Sequence, residues 1–166
     1  MEHRRVKRLA LSALLTAVML MLGYVESLVP TGIPGVKLGL SNSVLILAIC
    51  WLGVPHAFVL MIVKVLLSGF LFSGVNAMMY ALAGGVLSML AMSVLHRLGF
   101  SLTVTAMAGA VMHNVGQVAL AMLMLRTGGL VYYMAVLMLV GLVTGFVTGT
   151  AAEILVRRLP DSMLPR

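Results

Sequence analysis

A small set of charged and amide side chains lies within otherwise apolar stretches of this sequence. Lys64 stands near the middle of one such stretch, and His113 and Asn114 stand near the middle of another. Polar groups inside a membrane are costly, so each of them needs a partner, a cavity or a function. Ammonium, imidazole and amide groups bind ligands through charge and hydrogen bonds. The residues predicted to bind a ligand are Lys37, Ser41, Asn42, Lys64, Asn76, Tyr80, His113, Asn114 and Gln117.

The segment from Lys37 to Asn42 is typical of a helix start that binds an anion. It follows a loop, residues 30–35, that contains two Pro and two Gly and cannot continue a helix. The free backbone N–H groups and the positive dipole end at such a start favour a negative charge. Lys37 and Lys64 would neutralise that charge, so the sequence predicts an anionic ligand such as a carboxylate or a phosphate ester.

Each of the main candidates also has a purely structural interpretation. Lys37 can extend its stem along apolar surface to reach the membrane interface. Lys64 can form a structural ion pair with Glu26. His113 and Asn114 can hydrogen-bond each other or a neighbouring helix. Only the positions of these side chains in the folded protein can distinguish the structural roles from ligand binding.

Asn76 and Tyr80 share one face at the start of the fourth apolar stretch. A helix N-cap is the structural alternative for Asn76, because its short side chain can accept from a free backbone N–H. An anchor at the membrane interface is the alternative for Tyr80.

Catalytic and metal-binding motifs do not occur in this sequence. It has no HExxH, GxSxG or Walker A pattern. Asp161 is the one aspartate, so a cluster that holds magnesium on a diphosphate cannot form. The 15 Met residues show no repeated spacing, and His113 is the only histidine deep in an apolar stretch. We therefore predict no enzyme activity, no cofactor and no metal site.

The composition is that of a membrane protein. Hydrophobic residues make up 62% of the 166 positions and charged residues 9%, whereas a water-soluble domain carries about 25% charged residues. A spanning helix needs about 20 mostly apolar residues. The chain is predicted to form one all-α membrane domain over residues 1–166. Its six transmembrane helices are predicted at 9–29, 37–52, 55–72, 76–95, 102–125 and 130–156.

The basic residues predict the orientation of this bundle. They sit mainly at the two chain ends, without interleaved aromatic residues, and so do not indicate nucleic-acid binding. Six spans with both termini cytoplasmic place eight basic residues on the inner side and only Lys37 and Arg126 on the outer side. Five or seven spans would separate the two basic ends. The predicted location is the plasma membrane.

This orientation gathers the strong polar groups in the outer half of the bundle. It predicts a pocket that opens to the outside and is closed below by an apolar floor. The inner half has mostly hydroxyl groups, which can bond back to the backbone of their own helix. These residues are Ser12, Thr16, Ser93, Thr103 and Thr105.

Small residues form two faces on which another helix can approach closely. Gly141, Gly145 and Gly149 recur every four residues in the sixth span, and this face packs either within the bundle or against a second copy of the chain. Ala13 and Ala17 make a weaker small face on the first span. Glu153 lies near the end of the glycine face, where a partner or Arg157 can pair with it.

The order of these features resembles a known group of membrane proteins. A basic N-terminus, Ala13 and Ala17 on the first helix, a Pro/Gly loop and the segment from Lys37 to Asn42 resemble the substrate-binding S components of energy-coupling factor (ECF) transporters. The stretch from Gly109 to Gln117 adds a resemblance to the Gx transporter family, often labelled heptaprenyl diphosphate synthase component I. The resemblance extends over nearly the whole chain.

The resemblance implies a six-helix S component that binds its ligand from outside. It also implies that Ala13 and Ala17 dock on a membrane coupling subunit driven by cytoplasmic ATPases. The leading hypothesis is therefore ATP-driven uptake of a small anionic metabolite, a vitamin or an isoprenoid-quinone precursor. The alternatives are a non-catalytic membrane subunit associated with heptaprenyl diphosphate or quinone synthesis, and a stand-alone ion-coupled carrier.

Overall fold

A computed structural model describes residues 2–28 and 39–158, and these residues are helical apart from short breaks. Six α-helices follow one another along the chain, and a π-helical turn, Gly69–Ser73, extends the third. The predicted all-α fold is confirmed. The helices are α1 (Glu2–Leu28), α2 (Leu40–Leu52), α3 (Val54–Ser68), α4 (Val75–Arg97), α5 (Leu102–Leu125) and α6 (Leu130–Arg158).

Five of these helices are long and apolar enough to cross a membrane, which makes this chain a multi-pass membrane protein. They are α1, α3 together with its π-helical turn, α4, α5 and α6. The exception is α2, which has 13 residues, whereas about 20 are needed to cross the hydrocarbon. Glycine precedes α3 and follows its π-helical turn. Gly53 and Gly74 have φ values of 86° and 81°, which side chains rarely allow.

The short helix α2 lies in the centre of the bundle. Its residues from Val44 to Ile49 are all buried, and it packs against α1, α3, α5 and α6. A helix that is apolar all round is stable only where every face is covered. Met19 of α1, Met61 of α3 and Met89 of α4 complete the core cluster around it. The apolar composition of α2 thus explains its central position.

The glycine face of α6 packs on α5. A Cβ atom added at Gly145 would lie 2.7 Å from Met107 Cα, and one at Gly149 would lie 2.9 Å from Thr103 Cα. These positions leave no room for a side chain, so the two helices are in backbone contact along this seam. Packing within the bundle is therefore the correct interpretation of the glycine face.

Side chains also join the start of α5 to the end of α6. The Thr103 hydroxyl donates to Glu153 Oε2 at 2.8 Å, and the Arg157 guanidinium donates to Glu153 Oε1 at 2.7 Å. The predicted pairing of Glu153 with Arg157 is confirmed. The prediction that Thr103 bonds to its own helix is wrong, because the neighbouring carboxylate is a stronger acceptor. Thr16, Ser93 and Thr105 do bond back to carbonyl groups one turn earlier.

Candidate functional site

Residues from all six helices line one cavity inside the bundle, with a volume of about 70 Å³. This space suits a few water molecules or the polar part of a small ligand. Six of the predicted ligand-binding residues line it. They are Ser41, Asn42, Lys64, His113, Asn114 and Gln117.

The other three predicted residues are not brought to this cavity by the described part of the structure. Asn76 is exposed, Tyr80 is half-buried, and neither belongs to the lining. Lys37 lies outside the described residues. The N-cap interpretation of Asn76 is wrong, because α4 begins at Val75 and its N-cap residue is Gly74.

The cavity is long and narrow. Along α4 its lining extends from Ala77 to Met92, which is about 22 Å at 1.5 Å per residue. We call the part around Asn42 and Lys64 the polar end. The part around Ser88 and Met92 is the far end.

Lys64 of α3 and Asn42 of α2 are joined at the polar end. The Lys64 ammonium donates to Asn42 Oδ1 at 2.9 Å. Val65 and Met61 are 2% and 1% exposed in the core, so they fix the rotation of α3 and hold Lys64 on the cavity side. A cation inside a membrane bundle and a neighbouring amide therefore face the same space.

Glu26 is a cavity residue that the list of predicted ligand-binding residues missed. Its side chain is buried at the end of α1, and Oε1 accepts a hydrogen bond from the Leu40 backbone N–H at 2.6 Å. Leu40 is the first residue of α2, where the helix dipole favours a negative charge. The sequence predicted that an anion binds at this helix start. In the structure, the Glu26 carboxylate of the chain itself accepts a hydrogen bond from one of the free backbone N–H groups there. The acidic residue at the end of the first apolar stretch was the available signal.

Removing the Glu26 carboxylate is expected to destabilise the start of α2. Glu26→Ala should lower the free energy of unfolding by about 1–2 kcal/mol, because a partly buried N–H loses its acceptor. Glu26→Gln keeps an acceptor oxygen and should recover part of that loss. Thermal unfolding in detergent measures both variants. An unchanged unfolding midpoint in Glu26→Ala would contradict the capping role.

The polar residues of α5 are positioned by close contact with α4. A Cβ atom at Gly84 would lie 3.0 Å from His113 Nδ1 and 2.9 Å from Gln117 Cγ. Gly84 therefore allows α4 to pack directly against the face that carries His113 and Gln117. Residues four positions apart lie one above the other on a helix, so both side chains reach the same stretch of the cavity.

Asn114 connects α5 to α6. Its Nδ2 donates to the Leu137 carbonyl at 2.6 Å. The interpretation of Asn114 as a hydrogen bond to a neighbouring helix is thus confirmed. Such bonds between membrane helices contribute about 1 kcal/mol. Asn114 also lines the cavity. Its side chain therefore both joins two helices and belongs to the wall of the candidate site.

The far end of the cavity differs from the predicted apolar floor. Ser88 of α4 and Thr148 of α6 line it, together with Met92 and Ala106. The apolar prediction is wrong because serine and threonine hydroxyls are common in helices and only the rotation of the helix decides where they face. Thr148 bonds back to the Thr144 carbonyl at 2.9 Å.

The arrangement provides charge, hydrogen-bond donors and acceptors, and shelter from lipid. Within residues 2–28 and 39–158, no group of three His, Cys, Asp or Glu side chains lies close enough to hold a metal ion. The chemistry that these residues support is the binding of a small polar molecule.

Comparison with known proteins assigns most of the chain to one family model. The model described as heptaprenyl diphosphate synthase component I matches residues 15–155. Searches of curated proteins and of solved structures found no match.

Proposed function

Because this chain belongs to the heptaprenyl diphosphate synthase component I family, we propose that it is the substrate-binding membrane subunit of an uptake system. Its ligand is a small anionic metabolite, such as a vitamin or an isoprenoid-quinone precursor. The chain itself is non-catalytic, since its one aspartate cannot supply the cluster that a prenyl-diphosphate synthase needs. The family is described as a synthase component, and this favours a second candidate function, a membrane subunit associated with heptaprenyl diphosphate synthesis.

The observation that carries this proposal is the Lys64–Asn42 pair at the wall of a cavity inside a membrane bundle. A lysine at the centre of a spanning helix costs about 2.5–3.5 kcal/mol. Such a cost is sustained where the cation has a function, and an ammonium that lines the same cavity as His113 and Gln117 is suited to an anionic head group. The cavity volume of about 70 Å³ fits a head group of a few atoms.

The proposed topology has six crossings and both termini in the cytoplasm of a plasma-membrane protein. The first residues of α1 and the last turn of α6 carry basic side chains, as does the end of α4, and cytoplasmic flanks are enriched in such residues. The short helix α2 counts as a crossing because protein surrounds it, and irregular backbone at its ends is tolerated where protein covers it. The polar end of the cavity then opens outward.

The proposed partners are a membrane coupling subunit and cytoplasmic ATPases, since no nucleotide-binding motif occurs in the sequence. Ala13 and Ala17 are exposed on one face of α1. Exposed Leu9 and Met21 flank them. This face of small residues allows a partner helix to approach closely.

Bulky side chains on this face are expected to block coupling and leave ligand binding intact. The double variant Ala13→Phe and Ala17→Phe should lower ATP-dependent uptake several-fold, because a partner helix can no longer reach the α1 backbone. Retention of the ligand by the purified variant should equal that of the unaltered protein. A matched control is Val25→Phe, because Val25 is exposed on the same helix about two turns beyond Ala17. Equal uptake by both variants would contradict the docking role.

The energy source separates the proposal from its two alternatives. Uptake that requires ATP and co-purification with ATPase subunits support the proposal. Uptake that an uncoupler abolishes at constant ATP identifies a stand-alone carrier. A change in polyprenyl chain length on deletion of the chain, with no change in uptake, identifies a subunit associated with heptaprenyl diphosphate synthesis, as the family description suggests.

A further inference from the structure

Ser88 differs from Ser93 and Thr148, two other buried hydroxyl residues of the bundle. It is 2% exposed and lines the cavity, and its Oγ has no hydrogen-bond partner among residues 2–28 and 39–158. Ser93 and Thr148 are also buried, but their hydroxyls donate to carbonyl groups of their own helices. A buried hydroxyl without a partner is unfavourable, and such groups in native proteins call for an explanation.

The space beside Ser88 exists because position 109 has no side chain. A Cβ atom added at Gly109 would lie 3.2 Å from Ser88 Oγ and 2.6 Å from Met92 Cγ. Ala106 and Ala110, one turn apart on α5, are small and line the same region. The far end is therefore a slender channel lined by Met92 and small residues, in which the Thr148 hydroxyl bonds back to its own helix and the Ser88 hydroxyl has no partner among the described residues.

The distance from His113 to the far end limits the length of an occupant. Gly109 faces Ser88, and His113 lies four residues further along α5, which is about 6 Å at 1.5 Å per residue. A molecule that passes His113 reaches Ser88 with a few more carbon atoms of chain. The apolar walls accept that chain, and the hydroxyl can hydrogen-bond a polar atom at its tip.

We propose that the far end is a subsite in which Ser88 hydrogen-bonds a single oxygen at the tip of an unbranched ligand. The ligand is a short aliphatic acid or phosphate ester that carries a terminal hydroxyl or carbonyl group. Its anionic head lies at Lys64 and Asn42, so this inference rests on the proposed function and specifies its substrate class. Met92 and Gly109 set the width of the channel and exclude branched chains.

The test uses two matched series of probes on the detergent-purified protein. One series is the straight-chain carboxylates from butyrate to octanoate, and the other is the corresponding acids with a terminal hydroxyl group. Isothermal titration calorimetry should show that one chain length gains affinity from the hydroxyl by about three- to tenfold, as expected for one hydrogen bond. Ser88→Ala should remove that gain and leave the affinity for the plain carboxylate unchanged.

Two further variants complete the experiment. Ser93→Ala is the matched control, because Ser93 is a buried serine of the same helix that donates to Met89, and the hydroxyl gain should persist there. Gly109→Ala narrows the channel and should weaken binding of the longer probes several-fold while the shortest probe binds normally. A gain that survives in Ser88→Ala, or no gain at any length, overturns the subsite and leaves the proposed function standing. No binding by any carboxylate, nor by straight-chain alkyl phosphates of matched length, overturns the anionic ligand class and the subsite together.

Discussion

Lys64→Met is expected to weaken ligand binding by about 100-fold while the bundle remains at least as stable as before. The ammonium donates to Asn42 at the cavity wall, and an anionic head group bound there loses its counter-charge in the variant. Truncating one member of a buried, hydrogen-bonded charge pair costs about 2–5 kcal/mol, so affinity should fall by about 100-fold. Native mass spectrometry of the purified protein, with the retained small molecule as readout, measures this loss.

The stability of Lys64→Met distinguishes a binding residue from a structural one. Methionine is apolar and similar in length, so replacing a half-buried cation with it removes the desolvation cost of that cation. The thermal unfolding midpoint should therefore stay constant or rise. Val63→Met is a matched control, since Val63 is the preceding residue and is 36% exposed on another side of α3. A variant that unfolds earlier and still retains the molecule would show that Lys64 is structural.

The helices with the longest apolar stretches were predictable from the sequence. The predicted spans at 76–95, 102–125 and 130–156 correspond to α4, α5 and α6 within about two residues at most ends. Apolar length is a local property that the membrane requires of each helix independently. The position of α2 at the centre of the bundle is different, because it depends on which neighbours cover its faces.

The polar end of the cavity was also largely predictable, and the far end was not. Lys64, Asn42 and His113 stand out because each is a costly side chain within an apolar stretch. Ser88 gives no such signal, since a serine hydroxyl normally bonds back to its own helix. Its orientation toward Gly109 is set by the packing of α4 on α5. The bond from Glu26 to Leu40 likewise joins two helices whose approach the sequence does not specify.

The glycine spacing in α6 predicts a packing face but does not identify the helix that packs on it. The four-residue spacing of Gly141, Gly145 and Gly149 identifies a face for close packing, and it fits a second copy of the chain equally well. The structure places α5 on that face. The glycines of the α4–α5 seam carry no such regular spacing, although their contacts are as close.

Gly116→Val is expected to destabilise the bundle more than any substitution in the cavity lining. A Cβ atom at Gly116 would lie 2.7 Å from the Ala83 carbonyl oxygen and 2.8 Å from Gly84 Cα. Both contacts are with backbone, so no side-chain rotation can relieve them and α4 must move away from α5. Overpacking costs about 1–3 kcal/mol in well-packed interiors, and rigid backbone neighbours place this variant at or above the upper limit.

The same displacement should also disturb the candidate site. Gln117 and His113 contact α4 through the space left by Gly84, so a wider seam separates them from the helix that carries Ser88. Gly116→Val should therefore unfold at a temperature at least several degrees lower, and its folded fraction should retain less ligand. Ala119→Val adds a branched side chain to the exposed side of the same helix and should change neither property. Equal unfolding temperatures for Gly116→Val and Ala119→Val would contradict this prediction. They would show that α4 and α5 do not need the close backbone contact at Gly116 to pack together or to position His113 and Gln117.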